Sequence, residues 1–174
     1  QELIPDKISM IEMMEKLINY DNKHEHLIKF DKLLPNGESF FTTIVNDYPD
    51  IDTICDFLIE HGVDPNMSNS NGIYPLEHAI RINSVKLVTS LVNSEKINYS
   101  QLGNGFTYLH LAAKNKDSSI LSFLLQKNII DINSINFIGE TPLMEACKSK
   151  RIDNIKLLFK NDNIDYLHCN KNGE

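Results

Sequence analysis

The chain has 174 residues, 41% of them hydrophobic and 24% charged, with a formal net charge of −7 at pH 7. It holds enough apolar material for a packed core, and its acidic balance argues against nucleic-acid binding through phosphates, which needs a basic face. Charges and asparagines break every apolar run too early for a membrane span, and the polar start, with Pro5 and Asp6, is unlike a signal peptide.

In residues 1–33, Asp6 reads as an N-cap before a helix over residues 7–20. Ile8, Met10, Ile11, Met14, Leu17 and Ile18 form its apolar face, and Ser9, Glu12, Lys16 and Asn19 its polar stripe. Leu27, Ile28, Phe30, Leu33 and Leu34 suggest a second apolar element. Two readings stand for this segment. It is an N-terminal helical cap or degenerate copy of the unit that follows, or it is a separate helical docking segment.

From residue 34 onward the chain repeats itself. Five of its seven glycines, Gly37, Gly72, Gly105, Gly139 and Gly173, lie 35, 33, 34 and 34 residues apart. Asn36, Asn71, Asn104 and Asn172 precede four of them, and Asn-Gly tolerates the positive φ of a tight turn. Similar strings follow the glycines: Thr141-Pro142-Leu143-Met144-Glu145-Ala146, Thr107-Tyr108-Leu109-His110-Leu111-Ala112, and Tyr74-Pro75-Leu76-Glu77-His78-Ala79. Pro75 and Pro142 suit the first turn of a helix, where a missing N–H costs nothing. Downstream of each string an apolar set recurs at i, i+3, i+4 spacing: Ile54, Leu58 and Ile59; Leu87, Val88, Leu91 and Val92; Ile120, Leu121, Leu124 and Leu125; Ile155, Leu158 and Phe159. That spacing predicts the buried face of a second helix.

The strings Thr141-Pro142-Leu143-x-x-Ala146 and Thr107-x-Leu109-His110-x-Ala112 resemble the T-P-L-H-x-A signature of the ankyrin-repeat family, with its period of about 33 residues. The exits Gly62-Val63-Asp64-Pro65-Asn66, Lys96-Ile97-Asn98 and Asp131-Ile132-Asn133 are similar to that family's passage into the next turn. The resemblance implies an all-α fold, an ankyrin-repeat solenoid of stacked helix-turn-helix units with β-turn fingers. It divides residues 34–174 into units of about 34–68, 69–101, 102–135 and 136–169, with the start of a further unit at 170–174. The first unit is the most degraded: it lacks the Thr-Pro-Leu string and carries extra residues around Tyr48, Pro49 and Asp50. Leu76, Leu109 and Leu143 are expected to be buried at the starts of first helices. The chain begins without methionine and stops inside a turn, so it reads as a piece of a longer protein. The apolar face of its fourth unit is then uncapped and open to end-to-end self-association.

Catalytic groups do not converge. The resemblance makes Thr107 and His110 a structural brace, and His78 reads as a helix-surface residue. His24 with His26, and His168 with Cys169, lack the remaining ligands of a zinc site. No phosphate-loop, nucleophile-elbow or H-E-x-x-H motif occurs. Cys55, Cys147 and Cys169 are odd in number with no C-x-x-C pair, which fits a reducing, cytoplasmic compartment. No enzyme activity, cofactor or metal is therefore expected.

The expected function is a protein–protein interaction scaffold whose protein or peptide partner lies on the concave strip of fingers and first helices. Ile73, Phe106, Phe137 and Ile138 are apolar where a passive spacer would be polar, and Arg81, Lys114 and Lys148 line the same strip. For the apolar residues two readings stand, an interface or packing against the neighbouring finger. The basic residues read first as solvated charge and second as a match for acidic flanks on the partner. An alternative function is a regulatory or targeting region of a larger enzyme, secreted effector or channel. A purely structural spacer is the third reading.

Overall fold

The computed structural model describes residues 33–39, 41–43, 52–100 and 102–174, together with Glu12, Lys16 and Lys23, which are helical. The remainder of the expected helix over residues 7–20, and most of the second apolar element, lie outside the described residues. Seven helices are described in chain order: α1 Asp52–Glu60, α2 Pro75–Arg81, α3 Val85–Asn93, α4 Tyr108–Ala113, α5 Ser119–Lys127, α6 Pro142–Lys148 and α7 Ile152–Phe159. No strand occurs among the described residues.

The helices form two layers. The first helices α2, α4 and α6 stack on one another, the second helices α1, α3 and α5 do likewise, and each first helix packs on the second helix that follows it. Pro75 and Pro142 open α2 and α6 at the first turn. Ala79, Ala112 and Ala146 are fully buried, so neighbouring first helices approach without intervening side chains. Leu76, Leu109 and Leu143 are buried at the helix starts, and Leu87, Val88, Leu91 and Val92 face the core from α3. The C-terminal carbonyls of the first helices are satisfied from the next unit. Asn115 Nδ2 donates to Ile80 O at 2.9 Å, and Asn154 Nδ2 donates to Ala113 O and Asn115 O at 2.9 Å each.

The connecting fingers share one backbone pattern. The N–H groups of Leu34, Asn69, Leu102, Asn136 and Asn170 donate to the carbonyls of Glu38, Ile73, Phe106, Glu140 and Glu174 at 2.8–3.0 Å. Inside each of these turns lies Gly37, Gly72, Gly105, Gly139 or Gly173, with φ between 75° and 81°. Residues 170–174 adopt this turn as fully as the other four. Adjacent fingers are joined through Ser70 N–H to Gly37 O at 2.7 Å, Phe137 N–H to Asn104 O at 3.4 Å and Lys171 N–H to Ile138 O at 3.1 Å.

Two expectations need correcting. Phe159, assigned to the buried face of a second helix, is 52% exposed and faces Tyr166 at a ring separation of 6.2 Å. No described helix follows α7 to cover it. His78 is half-buried rather than a free helix-surface residue, and its Nε2 has no partner among the described residues. Burial lowers its pKa, against the pull of Glu38.

Candidate interaction surface

The strip between fingers and first helices is built on a firm base. In the third unit the Thr107 N–H donates to His110 Nδ1 at 3.0 Å, while the Thr107 hydroxyl lies 2.9 Å from the same nitrogen. An Nδ1 that accepts an N–H leaves the proton on Nε2, which donates to Glu140 O of the next finger at 2.8 Å. His110 thus ties the third unit to the fourth. Burial pushes its pKa down to about 4, and Lys114 adds to that shift, so the ring is neutral at physiological pH.

The degraded first unit keeps an equivalent brace that the missing string concealed. Ser39 N–H donates to Thr42 Oγ1 at 2.9 Å, and Thr42 N–H donates to Ser39 Oγ at 3.1 Å. The signal was a capping pair three residues apart, two residues after Gly37. A second missed feature is the side chain that opens the fingers. Asn69, Asn136 and Asn170 each use Oδ1 to accept two backbone N–H groups of their own turn at 2.9–3.0 Å. Their shared register, three residues before the glycine, was there to be read.

On this base sit the expected contact residues. Ile73 and Phe106 are half-buried, and the Phe106 ring packs against His110 at 5.3 Å between centroids. Phe137 and Ile138 are 60% and 50% exposed. Phe137 also lies on the neighbouring finger: a Cβ placed on Gly105 would sit 2.5 Å from Phe137 Cδ1. One part of this side chain thus packs on the neighbouring finger, and the rest faces outward.

The three cations occupy the same register at the C-terminal ends of α2, α4 and α6, two residues after the buried alanine, with Lys114 as the C-cap of α4, and each is held by a carboxylate beneath it. Arg81 Nη2 lies 2.7 Å from Glu77 Oε1, Lys114 Nζ lies 3.3 Å from Glu145 Oε2, and Lys148 Nζ contacts Glu140 Oε1. The cation side chains are 54%, 46% and 51% exposed, against 9%, 7% and 2% for their partners. Lys114 also lies over the Phe106 ring at 5.3 Å from its centroid. The buried carboxylates were not anticipated, although the i, i+4 spacing of Glu77 and Arg81 was visible. Between Arg81 and Lys114 a cavity of about 270 Å³ opens, with Ile80, Phe106 and Leu111 among its apolar lining.

A larger cavity of about 560 Å³ lies at the end of the stack, lined by Leu143, Met144, Cys147, Phe159 and Tyr166 among others. No group of three or more His, Cys, Asp or Glu residues among the described residues could hold a metal ion. None of the helices described is long and apolar enough to cross a membrane.

This stack of helix pairs, braced by turn fingers, defines a repeat solenoid of the kind that presents an extended surface to other proteins. The family model for ankyrin repeats (3 copies) matches residues 41–136 and 83–170, and the chain belongs to the ankyrin-repeat family. Among known proteins it is similar to an ankyrin repeat protein of Acanthamoeba polyphaga mimivirus, 31% identical over 105 residues. That match covers 60% of this chain and 10% of the relative. An ankyrin repeat protein of Fowlpox virus (strain NVSL) is 38% identical over 108 residues, covering 60% of this chain and 31% of the relative. The chain thus spans less than a third of the length of either relative. Among solved structures, the ankyrin repeat domain of Bcl-3, a member of the IkappaB protein family, has a TM-score of 0.78 at 17% identity. It covers 91% of this chain and 69% of that one. The ankyrin repeat protein EF0377 has a TM-score of 0.67 at 22% identity, covering 77% and 67%. These likenesses establish the all-α ankyrin solenoid fold. Ankyrin repeats generally mediate protein–protein interaction, and the family is typically non-catalytic.

Proposed function

We propose that this chain is a protein-interaction scaffold that holds a protein or peptide partner on the concave strip of fingers and first helices. Phe137 and Ile138 are the apolar anchors, and Ile73, Arg81, Phe106, Lys114 and Lys148 line the rest. The observation that carries this reading is the exposure of Phe137 and Ile138 on a finger fixed to both neighbours by backbone hydrogen bonds. Such a side chain reaches its partner already ordered, so little conformational entropy is lost on contact. On this reading the chain carries no catalytic activity of its own, binds no nucleic acid, and works in a reducing, cytoplasmic setting with its three cysteines as thiols. The greater length of the viral relatives favours a second reading alongside it, in which the chain is the targeting or regulatory region of a longer protein. The apolar cavity beyond α6 and α7 supports end-to-end association of copies, which sedimentation across a concentration series would detect.

The test uses immobilised chain and a Phe137→Ser, Ile138→Ser variant whose circular dichroism matches wild type. Partners captured from the source cell are compared between the two. Anchors of this kind contribute about 2 kcal/mol each, so a genuine partner should lose roughly thirtyfold in affinity per anchor and up to about a thousandfold when both are removed. Equal capture by the two proteins would refute the finger surface as the docking site.

A further inference from the structure

The interaction reading leaves open what the three cations recognise, and their spacing bears on that question. Arg81, Lys114 and Lys148 stand at one register on three successive first helices, each half-exposed above a buried carboxylate. Packed helices lie roughly 8–10 Å apart. A polyproline-type segment advances about 3.1 Å per residue with three residues per turn, so every third residue faces the same side and three residues span one step of the ladder. The carboxylates beneath are inaccessible, and the cationic side is what the groove presents. Two of the cations keep donors beyond those their carboxylates take: Arg81 gives only Nε and Nη2 to Glu77, and Lys114, with three ammonium donors, is paired with Glu145 alone among the described carboxylates. Between the first two cations lies a cavity of about 270 Å³, with Ile80, Phe106 and Leu111 as its apolar wall and Asn104 and Asn115 beside the cations, which offers an apolar side chain a seat between the two charges.

We propose that this row reads an acidic peptide in the polyproline conformation, with a carboxylate at every third residue and an apolar residue between the first two, seated in the cavity between Arg81 and Lys114. The proposal rests on the interaction reading above and adds the register and the chemistry of the partner. The overall charge of −7 opposes an acidic ligand at long range, but that repulsion is screened beyond about 8 Å at physiological ionic strength. The contacts themselves are short.

The probe is a capped, fluorescent peptide of three Glu-Leu-Pro triplets, followed by anisotropy on the full chain. Two controls are a peptide with Lys in place of Glu and one of the same composition with its three glutamates contiguous. Lys114→Gln is made together with Glu145→Gln, and separately Arg81→Gln together with Glu77→Gln, so that no buried carboxylate is stranded; thermal melts verify that both fold. The triplet peptide should bind at least tenfold tighter than the Lys peptide and several-fold tighter than the contiguous one. Each variant should weaken it about fivefold, as should 0.5 M salt. Equal binding of Glu and Lys peptides, equal binding of the two Glu arrangements, or no binding near 1 mM would each overturn the proposal. A cellular partner that depends on Phe137 and Ile138 but not on Arg81 or Lys114 would sink this inference and leave the scaffold reading standing.

Discussion

The His110 bridge makes stability depend on pH between about 6.5 and 4. The folded ring is neutral with a pKa of about 4, against an unfolded value near 6.5. Between those values the unfolded chain binds a proton that the folded chain does not, so stability is fully present above pH 6.5 and declines as pH falls towards 4. The full displacement corresponds to about 3 kcal/mol. At pH 4.5 roughly 2 kcal/mol of it is lost after allowing for partial screening. The perturbation that isolates this effect is His110→Gln. A glutamine three residues after Thr107 completes a capping box, keeps an acceptor for the Thr107 N–H and a donor towards Glu140 O, and carries no titrating group. Urea unfolding of both proteins at steps from pH 7 to pH 4.5 should show wild type losing about 2 kcal/mol more than the variant, equivalent to about 4–8 °C in Tm. Parallel pH profiles would refute the assignment of a neutral, buried bridge.

Other expectations follow from burial and backbone geometry. Leu109→Ala, fully buried in the central unit, should cost about 2–5 kcal/mol in chemical denaturation, and equal melting with wild type would overturn its place in the core. Gly72→Ala meets open space and should cost only the left-handed backbone term of about 1–2 kcal/mol. Gly105→Ala adds a clash with Phe137 N at 2.7 Å and should melt clearly lower. Asn154→Ala strands the carbonyls of Ala113 and Asn115 and should cost about 1–3 kcal/mol, with faster amide exchange at the end of α4.

Much of the fold was legible because its period is long and its turns are chemically demanding. A residue forced to φ near +80° must be glycine or nearly so, and that requirement printed the turn positions into the sequence. The alanines were legible for a similar reason, since nothing larger fits between stacked first helices. What escaped notice were polar side chains doing backbone work. Asn69, Asn136 and Asn170 look like generic loop asparagines until the turn closes around their Oδ1. Glu77, Glu140 and Glu145 were overlooked because carboxylates are seldom buried unless paired, and two of the three pairs form across residues that are not helix neighbours. Phe159 fits the apolar pattern of α7, but pattern alone does not say whether a further helix covers it.

The surface owes its character to the same repetition that builds the core. Fingers hydrogen-bonded to one another cannot slide independently, so Phe137 and Ile138 are held at fixed height above the first helices. The stacking distance that lets Ala79, Ala112 and Ala146 pack sets the interval between Arg81, Lys114 and Lys148, two residues further along each helix. A carboxylate under each cation then restricts its rotamers, turning flexible side chains into an ordered row. A partner that matched the row would meet charges whose positions are fixed by core packing. Its specificity would therefore lie in spacing as much as in sign, and a substitution that loosened the alanine seam would weaken recognition without touching a single contact residue.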